Sequence, residues 1–300
     1  MDVAGTRPAP FSLAGELKRT WNDAPVYAGA AIVLALAALP MLGALAWDGR
    51  TVDGVSGWLK PIKFQLSFAL YAATLALYAR FVPLAVRDGR AWRAFTWIVV
   101  GCLFVEAGWI AFAAAIGERS HFNFDHAWLS AIYPAMGVLA VVLTAATAQF
   151  AYAIHRHGVG VAEPLRSGLV WGLALTLPLT IFTAFWLAGG AGHHVEPGAI
   201  GDVLANGPAP GTTRNPLAGT GGSDTNGLPL FGWSAANGDL RVPHFFATHA
   251  MQIVPLAALV LGALGWRSRW AGRVAGLASV AIVAATFAQA LAGQPFVAWS

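Results

Sequence analysis

Charge is the scarcest commodity in this sequence. Only 11% of its 300 residues are Asp, Glu, Lys or Arg, against 57% hydrophobic residues. A soluble domain carries about 25% charged residues, so the composition excludes a soluble globular fold, and with it most soluble-enzyme classes and nucleic-acid modules. Cysteine occurs once, at Cys102, which excludes an intrachain disulfide and Cys-rich metal motifs. Lysine occurs three times against fifteen arginines. No GxSxG, Walker A, GxGxxG, HExxH or EF-hand pattern is present, so no motif-marked chemistry can be assigned. The net charge of +4 does not restore a nucleic-acid reading, because the basic residues lie mostly in short loops between apolar runs.

What the sequence has is long apolar runs. Crossing the hydrocarbon core of a bilayer takes about 20 residues, and seven runs reach that length: Val26–Trp47, Ile62–Leu84, Phe95–Ile116, Leu129–Ile154, Leu169–Ala191, Phe245–Trp266 and Val274–Phe296. The expectation is an all-α integral membrane protein, a bundle of seven transmembrane helices. Pro134, Pro178 and Pro255 fall inside runs and predict kinks, which neighbouring helices can satisfy. Twelve basic residues flank the runs on the N-terminal side and six on the other. By the positive-inside rule this puts the N-terminus in the cytoplasm. Ahead of the first run, Phe11, Leu13, Leu17 and Trp21 alternate with Glu16, Lys18 and Arg19, the pattern of an interfacial helix within a cytoplasmic segment 1–25. Ala44-Leu45-Ala46 resembles a cleavage site, but the apolar stretch is too long for a signal peptide and reads as an uncleaved anchor. Five spans occupy 26–191. A Gly/Pro-rich segment, 192–243, predicts an irregular extracytoplasmic loop, and 244–300 holds the last two spans.

The polar residues that topology does not explain are the candidates for chemistry. Six of the eight histidines fall on the outer side, among them His121, His126, His244 and His249. Imidazole is the commonest metal ligand, so these four are the candidate cofactor-binding and metal-ligating set, for a transition metal or haem. His244 and His249 are five apart and face different directions, so the i, i+4 zinc pair is missing; Gln252 shares a face with His249. Glu106 is the only acidic residue deep within a run. A carboxyl there costs several kcal/mol and must face the bundle interior, as a proton relay, cation ligand or counter-ion. Gln65, Gln252 and Gln289 fall at comparable depths. Lys60 and Lys63 lie one helical turn apart beside Pro61 at the entry to the second run, a helix start suited to an anion. Arg241, preceded by Asp239, is a third cation on that side, with Asp239 or Asn237 placed to cap the following helix.

Three segments carry a resemblance. Lys60-Pro61-Ile62-Lys63-Phe64, Ser120-His121-Phe122-Asn123, and Gly238-Asp239-Leu240-Arg241 through His244-Phe245 to His249 and Gln252 are similar to recurring segments of an uncharacterised family of bacterial polytopic inner-membrane proteins. The similarity spans most of the chain from about Lys60 to Pro295. It implies an inner-membrane location and transfers no activity. Three functions therefore stay open: a metal- or haem-binding redox protein with an outward-facing histidine site, a transporter or channel for a small solute or protons using Glu106, and a non-catalytic membrane sensor or complex subunit. The lipid bilayer is the expected partner, with a small molecule or ion as ligand and no nucleic acid.

Overall fold

A serine starts the first helix. The Ser12 hydroxyl accepts the Gly15 N–H and caps α1 (Leu13–Asp23), satisfying one of the donors that every helix start leaves open. The computed structural model describes residues 12–52, 54–121, 123, 127–188, 194–199, 205, 227–228 and 231–298. Leu13, Leu17 and Trp21 form one exposed face of α1, while Glu16 and Thr20 bind Arg80 and Asp23 binds Arg87 from the other. The helix predicted for this segment is present, pinned by its acidic face.

Pro25 opens α2 (Pro25–Trp47) in the first turn, where its missing N–H costs nothing. A tight hairpin, β1 (Thr51–Val52) with β2 (Val55–Ser56), leads to α3 (Leu59–Tyr78), which ends in a 3-10 turn, Ala79–Phe81. The short α4 (Leu84–Arg87) precedes three long helices, α5 (Arg90–Ala115), α6 (Ala127–His157) and α7 (Glu163–Ala188). Strand β3 (His194–Val195) pairs antiparallel with β4 (Gly238–Asp239). The chain ends in α8 (Arg241–Thr248), α9 (Ala250–Ala263) and α10 (Trp270–Leu291).

Among the described residues, 76% are helical. Among the described residues six helices are long and apolar enough to cross a membrane, and a seventh span is reached if α8 and α9, bent by 60° at their junction, are counted together. Here the sequence reading needs correction. The run Phe245–Trp266 is not one helix kinked at Pro255, because the direction changes at His249 while Pro255 sits inside α9. The Gln252 and Ile253 amides both turn to the His249 carbonyl, at 3.0 and 2.9 Å, so a tight turn replaces the regular ladder there. The segment 192–243 also differs from a wholly irregular loop: β3–β4 and a bridge between Gly227 and Ser234 organise its ends, and 200–204 and 206–226 lie outside the described residues.

The bundle interior mixes alanines with large side chains such as Tyr27, Leu75, Leu103 and Phe150, and a further set of large apolar residues faces outward. Ala30, Ala72, Ala76, Ala107, Ala146 and Ala258 are buried, whereas Leu36, Leu39, Leu66, Leu70, Ile98, Val138, Phe185 and Leu256 are exposed. Helices α2, α3 and α5 pack as one group, α7 to α10 as another, and α6 joins α5 to α7. Helix α7 packs closely on α9. A Cβ on Gly172 would lie 2.8 Å from the Ala250 carbonyl oxygen and one on Gly168 2.6 Å from the Ala258 Cβ, so a small-xxx-small pair sets the interhelical distance.

The two groups are stitched together at α9. Pro255 lacks an N–H and leaves the Met251 carbonyl without its helix donor. The Tyr78 hydroxyl of α3 donates to that carbonyl at 2.9 Å. An unsatisfied buried acceptor costs about 1–3 kcal/mol, so Tyr78→Phe should destabilise the protein by that amount, read from denaturant unfolding in detergent. Gly172→Ala should lower the thermal unfolding midpoint clearly, while Gly108→Ala, whose Cβ meets nothing within 4 Å, should leave it near wild type.

Candidate functional site

The α3 start and the segment leading into α8 occupy the same end of the bundle, and a buried carboxylate organises the second of them. The Asp239 side chain has no exposed surface. Its Oδ2 accepts the Ser234 amide at 2.9 Å, its Oδ1 accepts the Arg241 amide at 2.9 Å, and both oxygens take the Arg241 guanidinium, the shortest contact being 2.7 Å. Arg241 reaches on to the Gly232 carbonyl at 2.6 Å. A buried ion pair is tolerated when its remaining hydrogen-bonding capacity is filled in this way. Gly238 permits the arrangement to seat on α10, since a Cβ there would fall 1.9 Å from the Ala290 carbonyl oxygen. Arg241, read from sequence as an anion contact, is here bound to the loop, and the N-cap position expected for Asp239 or Asn237 is taken by Leu240, without a side-chain cap, while Asp239 accepts the Arg241 amide that follows it.

An aromatic wall connects this loop to α8. Phe231 stacks on Trp233 at 4.5 Å, Trp233 meets Phe245 at 5.3 Å, and Phe245 covers His249 at 4.2 Å. Lys63 donates to the Phe231 carbonyl at 3.1 Å. One residue on, Phe64 stacks with His121 at 6.0 Å, and the Lys60 ammonium lies 6.0 Å from the Phe64 ring. His121 Nδ1 is 3.0 Å from the Ser120 hydroxyl, and Trp109 Nε1 donates to the Ser120 carbonyl at 2.8 Å. The first turns of α3 therefore join Lys60, Lys63 and His121 to the loop segment before α8. Burial, aided by the Lys60 charge, holds His121 down at about 3.

Glu106 and Gln65 lie deeper. The buried positions of α5 include Val99, Leu103, Glu106, Ile110 and Ala113, and those of α3 include Ile62, Gln65, Ala69 and Ala72. Both stripes follow the helical period, and the two helices pack on one another. Glu106 is 5% exposed and Gln65 4%. Counting about 1.5 Å per residue, Gln65 sits about 9 Å below the start of α3 and Glu106 about 14 Å below the end of α5. The Gln65 Oε1 atom has no hydrogen-bond donor. Glu106 has neither a hydrogen bond nor an ion pair among the described residues.

A second polar group lies at the α8–α9 junction, where His249 neighbours the Gln252 carboxamide and Gln252 Nε2 donates to Thr74 Oγ1 of α3 at 3.1 Å. His244 Nδ1 instead pairs with Thr183 Oγ1 of α7 at 3.0 Å, and Gln289 Nε2 donates to the Pro295 carbonyl at 2.8 Å. His126 lies outside the described residues. Among the described residues no group of three or more His, Cys, Asp or Glu side chains is arranged to hold a metal. The metal-binding expectation for His121, His126, His244 and His249 is therefore unsupported: His121, His244 and His249 point to different partners on different helices. Thr74, Tyr78 and Thr183 escaped sequence reasoning because a lone hydroxyl in an apolar helix has no pattern. Only Pro255, by freeing Met251, signals that a donor such as Tyr78 is required.

No protein-family model matches the chain, and no curated protein or solved structure is significantly similar to it.

The neutral His121 ring generates a pH dependence. Its folded-state value lies below the ordinary histidine range, so its contribution to stability is complete above about pH 6.5 and is lost as the pH falls toward about 3, because the unfolded chain takes up the proton first. Acidification through this window should lower the unfolding midpoint more in wild type than in His121→Phe, which keeps an aromatic ring and removes the titration. Parallel slopes in the two proteins would contradict the assignment.

Proposed function

We propose that this is a bacterial inner-membrane protein that moves protons, or a small solute coupled to them, through its helical bundle with Glu106 as the proton-carrying group. The observation that carries the reading is Glu106 itself: a carboxyl 5% exposed, on the core stripe of α5, with no hydrogen bond or ion pair among the described residues. A structural acid is retained by the partners it holds, and among the described residues Glu106 has none of these. A charge at that depth costs several kcal/mol unless water or a partner reaches it. Exchange of its proton is then tied to whichever end of the bundle admits water, and that coupling is what a proton-linked transporter requires.

The membrane assignment is supported by the exposed leucine, isoleucine, valine and phenylalanine side chains around the bundle, which in water would form an apolar surface far beyond what a soluble monomer exposes. In this reading α2, α3, α5, α6, α7, the α8–α9 pair and α10 make seven spans. The surplus of Arg and Lys beside α1, α4 and the α6–α7 and α9–α10 connections puts the N-terminus in the cytoplasm, and the Asp239–Arg241 loop faces outward. The broken α8–α9 span supports transport, since discontinuous helices place unpaired backbone groups at the depth where a solute binds. The alternative of a metal-ion centre lacks a group of three or more His, Cys, Asp or Glu donors among the described residues.

Reconstitution into proteoliposomes tests the reading. An imposed pH gradient should drive proton flux, followed with an entrapped pH-sensitive dye, that falls to the protein-free background in Glu106→Gln and survives in part in Glu106→Asp. Equal flux in wild type and Glu106→Gln would remove Glu106 from the mechanism.

A further inference from the structure

The α8–α9 junction has acceptor oxygens whose ordinary donors have been redirected. The Gln252 amide bonds to the His249 carbonyl at 3.0 Å, so the Thr248 carbonyl, four residues before Gln252, loses the donor that a continuous helix would supply. Thr248 ends α8, where the negative end of the helix dipole adds to that oxygen. The side chain of Gln252 contributes a second acceptor. Thr74 spends its hydroxyl proton on the Leu70 carbonyl at 2.7 Å and can only accept from Gln252, at 3.1 Å. That fixes which end of the carboxamide faces Thr74, since only its NH2 group donates. The Oε1 atom is therefore turned away from Thr74, and it is buried with no donor. His249 stands beside this carboxamide under the Phe245 ring. By residue count Thr74 is about 22 Å along α3 from Leu59 and about 6 Å from its other end at Tyr78, and α3, which meets this junction through Thr74, also packs on α5, the helix of Glu106.

We propose that the α8–α9 junction is a binding site for a small monovalent cation, Na+ or a primary ammonium group, taken by the Gln252 Oε1 and Thr248 carbonyl oxygens. Both ions present the same requirement, a compact positive charge that exchanges its water for neutral oxygen acceptors. Neutral carbonyl and carboxamide oxygens suit such an ion better than a divalent one, which demands carboxylates. As the coupling-ion site of a transporter the assignment rests on the reading given above, whereas binding itself follows from the junction alone. The glutamine and the broken backbone act together: Gln252 without the break would face a fully bonded helix, and the break without Gln252 would offer one carbonyl.

The test is thermal unfolding of the full-length protein in detergent, with NaCl, ammonium chloride or choline chloride at equal ionic strength. The midpoint should rise saturably in sodium or in ammonium over choline, the responding salt identifying the ion. The rise should disappear in Gln252→Leu and persist in Gln252→Glu and in Glu106→Gln. Equal midpoints in all three salts for wild type, or an undiminished rise in Gln252→Leu, would overturn the site. Because the wild-type comparison needs no variant, a poorly folding Gln252→Leu leaves the test intact. Proton flux that depends on Glu106 without any salt-specific rise removes this site alone. A salt-specific rise with flux indifferent to Glu106 removes the transport reading alone.

Discussion

A backbone carbonyl that loses its helical donor inside an apolar bundle has to be given another one, and the positions of α3 and α9 follow from that constraint. Pro255 deprives Met251 of its donor, and the Tyr78 hydroxyl replaces it across the gap between the two helix groups. Tyr78 can reach only if α9 stands at one height against α3, and at that height Thr74 meets Gln252. Gly168 and Gly172 then let α7 close on the far side of α9 without a Cβ between backbones. The break at His249 is consequently held from two sides, by hydroxyl and carboxamide contacts on α3 and by close packing on α7. Where an interior has little apolar contrast between helices, contacts of this kind position them more effectively than burial does.

The few polar groups divide by what their partners leave undone. Asp239 with Arg241 and Asp48 with Arg50 and the Trp58 indole are closed sets, in which both carboxylate oxygens take guanidinium, amide or indole donors, and Glu16 holds Arg80 through one oxygen. The adjoining cations hold the Asp48 and Glu16 carboxyls below the usual carboxylate range. These sets lie at the two ends of the bundle and fasten α1, the β1–β2 hairpin and the loop before α8. Glu106, Gln65 and Gln252 lie within it, and the first has no ion-pair or hydrogen-bond partner among the described residues while the other two keep an open acceptor. An open acceptor surrounded by apolar side chains is costly. Its retention is easiest to understand where something else enters to use it.

The helices themselves were legible in the sequence, because length and continuous hydropathy identify a helix long and apolar enough to cross a membrane without any knowledge of its neighbours. Glu106 was legible for the same reason: one acidic residue in a long apolar run stands out by contrast. The histidines misled, since their shared sidedness was visible but their facing was not. His244 turns to Thr183 on α7, His249 to Gln252, and His121 to Ser120 beside Phe64, and a difference of helix face separates residues that a linear reading groups together. The break at His249 was also hidden. Pro255 is the conspicuous helix breaker, yet its lost hydrogen bond is repaired from α3, while the change of direction occurs at a residue with no intrinsic tendency to cause one.

The sequence by itself determined that most of the chain is apolar helix, where those helices run, which few charges belong to their ends, and that one carboxyl lies deep within them. These are local properties, set by composition over stretches of about 20 residues. Only the tertiary structure decided which polar groups satisfy one another, that Arg241 closes on Asp239, that the run after it is bent into two helices, and that Gln252 is held against Thr74 with its oxygen free. Those depend on the rotation and height of each helix against its neighbours. Contacts that fix rotation and height, a proline's abandoned carbonyl or a pair of glycines, join residues too far apart in the chain for any local pattern to reveal. The scarcity of charge predicts the kind of protein, and the packing determines which of the remaining polar groups are still open to a ligand.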